Sequence, residues 1–223
     1  MRVNERRRPR TPRSRLLPIL GPDQIDQVVE RILGGGIVAI PTDTVYGLAA
    51  LPTHEGAVGA LADLKGRDRD QPIAALIDSV ADAIPYLEDP ASVDAFVRFW
   101  PGALTLVVRA RAAGLQPPVV TAEGTVGIRK PDDRFARMVI RGCGGILAVT
   151  SANRHGDAPC TSAAQVAAEF GDALMVLDGG PRTGNVASTV VDVTGAQPRI
   201  LREGGLTAAD LGIAPQPESP PPG

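Results

Sequence analysis

Apolar residues recur along this 223-residue chain in two distinct periods. A three-and-four spacing puts Ile25, Val28, Val29, Ile32 and Leu33 on one face of a helix over 22–33. The run Gly34-Gly35-Gly36 stops that helix. Short continuous apolar runs then follow at 37–41, 73–77, 103–108, 125–129, 146–149 and 174–177, each bounded by turn residues. Runs this short predict buried strands. Residues 188–193 and 198–202 predict two late strands near a hairpin. Between the runs, helices are expected over 55–64, 79–88, 91–99, 132–141 and 162–170, with a last turn at 207–212. Residues 111–124, rich in Gly and Pro, predict a loop. Strands alternate with helices early and cluster late. That order predicts an α/β chain with a twisted, mixed parallel and antiparallel sheet and flanking helices.

Composition narrows this picture. Aromatics are only 3% of the chain, so the core must be aliphatic. The net charge of −2 hides an asymmetry: residues 1–15 hold seven arginines against Glu5. The rest carries sixteen basic against twenty-four acidic residues. Residues 1–20 are therefore expected to be a basic disordered tail, and 214–223 a Pro-rich disordered end, around one domain at 21–213. The tail is a candidate RNA contact or a solvated extension. The run Leu16–Leu20 is too short and Pro-broken for a secretory signal, and no run approaches a membrane span. Two cysteines and two histidines, without ligand spacing, predict neither a disulfide framework nor a structural metal.

Candidate chemistry gathers at strand ends. Pro41 closes an apolar run, and Thr42, Asp43 and Thr44 follow it with two hydroxyls and a carboxylate. Ligands of α/β sheets tend to sit at such ends. Ser151 and Asn153 follow another strand in the same way. Lys65 and Arg67 leave a helix for a charged loop, where they suit a polyphosphate or the helix dipole equally. Arg129 ends a strand that is otherwise apolar, and buried arginine needs a partner. It is a candidate clamp for a carboxylate or phosphate. Ser188, Thr189 and Arg202 end the set. No Ser-His-Asp or Cys-His arrangement and no GxxxxGK[ST] or GxGxxG pattern occurs. The chemistry implied is binding, orientation and charge neutralisation.

Six stretches then stand in order: Pro41–Leu48, Lys65-Gly66-Arg67, Gly127–Pro131, Ser151-Ala152-Asn153, Ser188–Asp192 and Ile200–Gly204. Together they resemble the YrdC/Sua5 family, the threonylcarbamoyl-AMP synthases of tRNA modification, over roughly residues 22–206. The chain resembles the short, single-domain form. It departs from the family pattern at Asp68, at Val149-Thr150, at His155-Gly156 and around Pro159. The loop before Ser188 is one residue longer, and Gln71 replaces a frequent asparagine.

The resemblance implies a cytoplasmic enzyme that makes threonylcarbamoyl-AMP and pyrophosphate from L-threonine, bicarbonate or CO2, and ATP carried with Mg²⁺. The product would feed N6-threonylcarbamoylation of tRNA adenosine 37 through a downstream transferase. By the same resemblance, Thr42, Arg129 and Ser188 would hold threonine, with Arg129 on its carboxylate. Lys65 and Arg67 would meet the ATP phosphates. Gln71, Thr125, Ser151, Asn153 and Arg202 would line the nucleotide side of a concave cleft. The competing readings are an RNA-binding module, an enzyme of the same fold with another carbamoyl acceptor, and an inactive member of the same fold.

Overall fold

Ten strands join in one sheet in a computed structural model that describes residues 18–66, 68, 70–111, 114–171, 174–183 and 186–214. In chain order they are β1 (Ile19–Leu20), β2 (Val38–Pro41), β3 (Tyr46–Ala50), β4 (Ala74–Ile77), β5 (Leu104–Arg109), β6 (Thr125–Arg129), β7 (Ile146–Ser151), β8 (Met175–Leu177), β9 (Thr189–Asp192) and β10 (Arg199–Arg202). The spatial order is β1-β8-β2-β3-β7-β4-β6-β5-β9-β10. Pairs β1–β8, β8–β2, β4–β6 and β5–β9 are parallel, and the rest are antiparallel. The sheet is mixed, as the element order predicted.

Side-chain alternation splits the core into two layers. On one face, α2 (Glu55–Lys65) and α5 (Ala163–Phe170) pack on Ala39, Leu48, Ala75 and Ala148, and the same layer runs on under Leu106, Ile128 and Val191. On the other face, α1 (Ile25–Leu33) and α4 (Arg134–Gly142) cover Val38, Ile40, Leu147 and Met175. Those two helices reach only half of their face. Beyond β4, whose Leu76 is buried at the boundary, the outward positions Gly127, Val107 and Val190 of β6, β5 and β9 line an open cleft instead.

Three local expectations change. The Pro41–Leu48 stretch turns back as a hairpin, with Pro41 opposite Tyr46 and Val38 opposite Ala49. Its second strand, Tyr-Gly-Leu-Ala-Ala, lacks the β-branched residues that mark strands. Gly47 serves close packing there: a Cβ would lie 2.6 Å from Val149 Cγ1. The two helices expected over 79–99 are broken into a short helix, α3 (Val80–Ala83), and three 3₁₀ turns at 84–86, 90–93 and 97–99. Pro85 lacks the N–H that an α-helix over 79–88 needs at that point, whereas Pro90 opens its own 3₁₀ turn, where none is needed. Ile19–Leu20, within the stretch expected to be a tail, form the edge strand β1, and Leu20 is buried. Residues 1–17, including the arginine-rich segment, and 215–223 lie outside the described residues. Among the described residues no helix is long and apolar enough to cross a membrane.

Candidate active site

The cleft holds about 670 Å³, within the usual range for a small-molecule site. One end is built by the β2–β3 turn. The Thr42 hydroxyl donates to Val45 O at 2.6 Å and accepts from the N–H of Thr44 and Val45 at 3.2 and 3.3 Å. A side chain that closes its own turn in this way fixes the loop locally. The turn then grips Arg129 from β6. Its guanidinium donates to Asp43 Oδ1 at 2.6 Å, to Thr44 Oγ1 at 3.2 Å and to Gly102 O at 3.1 Å. Arg129 is only 6% exposed, and Asp43 supplies the counter-charge that burial requires. Those bonds use three of its five N–H groups.

Across the cleft, Ser188 bonds Thr105 Oγ1 at 2.8 Å. Arg202 donates to Ser188 O at 2.9 Å. A register shift at the end of the β9–β10 ladder brings it there. Ile200 pairs with Val191, yet Arg202 pairs with Val190, so Leu201 is a bulge. Without that extra residue Arg202 would point to the opposite face. Partial desolvation and the nearby Arg129 guanidinium lower the Arg202 pKa. Two cations thus face one end of the cleft. The other end is a turn on which the Thr121 and Thr125 hydroxyls bond each other at 2.8 Å beside Glu123.

Of the residues singled out from sequence, Thr42, Thr125, Arg129, Ser151, Ser188 and Arg202 line this cleft together. Lys65, Gln71 and Asn153 stand outside its wall. The Lys65 ammonium is buried at the end of α2, 4% exposed. It donates to Ser151 O at 2.6 Å, Asn153 Oδ1 at 2.8 Å and Asn153 O at 3.0 Å. It also lies 3.3 Å from Ser151 Oγ, directly behind the cleft wall. Asn153 turns its amide inward, onto the carbonyls of Arg154 and Asp157. Arg67 lies outside the described residues.

Sequence reasoning missed Arg182. It donates to Thr42 O at 3.2 Å, to Asp133 Oδ2 at 2.7 Å and to the carbonyls of Gly179 and Gly180, and it lies over the Tyr46 ring. Asp133 meanwhile caps α4 through the N–H of Phe135 and Ala136. Burial raises the Tyr46 pKa, and its hydroxyl donates to Gly180 O at 2.9 Å. Arg182 therefore ties the Thr42 turn to a helix cap and to the 178–180 loop. A lone arginine in a Gly-Pro loop carries no periodic signal that predicts this. Thr105 was legible only as an alternate position on a strand, and Asp43 as a strand-end carboxylate whose partner, Arg129, the sequence did not reveal.

A family model named for Sua5, YciO and YrdC and described as telomere recombination matches residues 30–204. A Mycobacterium tuberculosis protein is 41% identical over 82% of this chain and 85% of its own length. The threonylcarbamoyl-AMP synthase of Bacillus subtilis is 40% identical over 84% of this chain and 55% of its own length. Among solved structures, P. abyssi Sua5 complexed with L-threonine is 34% identical with a TM-score of 0.80, covering 87% of this chain and 59% of that one. The chain thus spans little more than half of these last two proteins. A match over most of the described fold, with relatives above 30% identity over most of the chain, places this protein in the Sua5/YciO/YrdC family.

Proposed function

We propose that this chain is a threonylcarbamoyl-AMP synthase, a nucleotidyltransferase that joins L-threonine, bicarbonate or CO2, and ATP. The observation that carries the reading is Arg129, buried at one end of the cleft with donors to spare, beside the Thr42 and Thr44 hydroxyls and with the Ser188 hydroxyl across the cleft. A planar fork suits a carboxylate, and hydroxyls suit a polar amino-acid side chain. The name of the Bacillus relative and the L-threonine in the Pyrococcus structure support the same reading.

In this reading Arg129 takes the threonine carboxylate, and Thr42 and Ser188 hold the rest of that substrate. The threonine nitrogen adds to the carbon of CO2 and loses a proton, giving a carbamate. A carbamate oxygen attacks the α-phosphorus of ATP. The bond from that phosphorus to the bridging oxygen breaks, and pyrophosphate leaves. Cations near the transferring phosphorus stabilise the charge that develops. Lys65 and Arg67 are assigned to the phosphates, Lys65 acting from behind Ser151. Thr125, Ser151 and Arg202 are assigned to the nucleotide, with Asn153 and Gln71 supporting that side. Among the described residues no three His, Cys, Asp or Glu side chains gather to hold an ion. In this reading Mg²⁺ enters with the ATP phosphates. The product would pass to a tRNA threonylcarbamoyl transferase in the cytoplasm.

Pyrophosphate release by the purified chain tests this. Release that needs ATP, L-threonine and bicarbonate together is expected. Release indifferent to threonine would overturn the assignment of the acceptor.

A further inference from the structure

We infer that Glu123 reads the ribose of the nucleotide, accepting hydrogen bonds from its 2′- and 3′-hydroxyls. The inference rests on the proposed nucleotide occupant of the cleft. Among the described residues that line this cleft Glu123 is the one carboxylate, and it belongs to none of the stretches that carry the family resemblance. Among the described residues the lining cations are Arg129 and Arg202. Thr125, Gly127 and Arg129 face the cleft from alternate positions of β6. Four strand steps separate Thr125 from Arg129, a distance of about 13 Å. Glu123 stands on the turn beyond Thr125, so the cleft has a cationic end and an anionic end.

That polarity selects what can lie where. Phosphates and the threonine carboxylate are driven to the Arg129 end and away from Glu123. The group beside Glu123 must donate hydrogen bonds and carry no negative charge. A ribose diol presents two donors side by side, matching the two oxygens of one carboxylate. The adenine amino group places a ring acceptor next to its donor, which a carboxylate repels. Carboxylates read ribose hydroxyls in the same way in dinucleotide sites. The turn is also held ready. Thr121 N–H donates to Thr125 O at 2.9 Å, Gly124 N–H donates to Thr121 O at 3.0 Å, and the two threonine hydroxyls bond each other. The Thr121 hydroxyl and the residue's own N–H hold the Glu123 carboxyl below its ordinary pKa, so it is ionised at neutral pH. Between the two ends Gly127 leaves the floor without a side chain. A Cβ there would meet only Thr105 Cγ2, at 3.3 Å, so a ligand can lie flat along the strand.

Calorimetric titration of the full chain with ATP, 2′-deoxyATP and 3′-deoxyATP tests the assignment. The unaltered chain should bind ATP about tenfold more tightly than either deoxynucleotide, the size expected for one charge-assisted hydrogen bond. Glu123→Ala should erase that preference: ATP loses both hydrogen bonds, whereas each deoxynucleotide loses only the one it still makes, about tenfold. Glu123→Gln should keep part of it. Glu123 is exposed, so neither variant threatens the fold. An undiminished preference in Glu123→Ala, an equal loss for all three nucleotides, or no ribose preference in the unaltered chain would overturn the assignment. Threonine-dependent pyrophosphate release, measured beside it, speaks to the synthase reading alone. That release can persist without any ribose preference, and the ribose preference can be measured without it.

Discussion

Replacing Thr189 by valine removes one hydroxyl and keeps the side chain's shape. Thr189 is fully buried at the start of β9. Its oxygen accepts from the N–H of Gly204 and of Leu206, both at 3.0 Å, and donates to Leu206 O at 2.6 Å. Three backbone groups of the segment after β10 thus depend on a single atom. Each polar group orphaned in the interior costs about 1–3 kcal/mol. Residues 204 and 206 are half-buried, so water recovers part of that, and Thr189→Val should cost about 2–3 kcal/mol. Thr189→Ser keeps the hydroxyl and loses one buried methyl, at about 1 kcal/mol. Urea unfolding followed by the fluorescence of Trp100, the only tryptophan, measures both. The segment also buttresses the cleft: a Cβ on Gly204 would lie 2.2 Å from Ala187 O and 2.5 Å from the Ser188 carbonyl carbon. The valine variant should therefore raise the threonine KM several-fold as well. A serine variant that costs more than the valine variant would refute the reasoning, because packing rather than the hydroxyl would then hold the segment.

Other outcomes follow from the same geometry. Arg129→Ala should raise the threonine KM far more than the ATP KM in steady-state assays; an equal rise in both would show that the arginine is wrongly assigned. Arg182→Ala should lower stability by about 2–3 kcal/mol, since Asp133 and Thr42 lose a buried partner, and Arg182→Lys should recover little because a point charge cannot span those acceptors. For Asp78, burial raises the carboxyl pKa, but Arg141 and Arg137 at 2.8 and 3.0 Å outweigh it and leave the pKa below its ordinary value. A depressed folded pKa contributes stability above the unfolded pKa and loses it as pH falls through the folded one. Chemical unfolding should thus show Asp78→Asn about 1 kcal/mol less stable than the unaltered chain near pH 7, with the gap closing as the pH falls below the ordinary carboxylate range.

Much of the scaffold was legible because burial leaves simple patterns. The 22–33 periodicity became a 3₁₀ turn and α1, and the apolar runs became strands, β2, β7 and β8 buried on both faces and β5 and β6 opening one face to the cleft. β3 was not legible, because small residues in the middle of a sheet carry neither alternation nor β-branching. The 79–99 stretch had helical spacing, and Pro85 overrode it over 79–88. In the site, strand-end hydroxyls and Arg129 could be picked out by where they interrupt apolar runs. Arg202 could be named, but the bulge that turns it into the cleft depends on a pairing register that one strand alone does not encode. Lys65 looked like a cation at a helix end, whereas its ammonium is buried among the oxygens of Ser151 and Asn153. Asp43, Thr105, Glu123 and Arg182 take their importance from partners distant in sequence, which spacing cannot reveal.

Incubation of the purified chain with ATP, L-threonine and ¹³C-bicarbonate, followed by mass spectrometry of the nucleotide fraction, decides the proposed reaction. The account predicts an adenylate that contains threonine and one labelled carbon, formed together with pyrophosphate. An adenylate that lacks the labelled carbon, or ATP left intact by a folded chain, would contradict it.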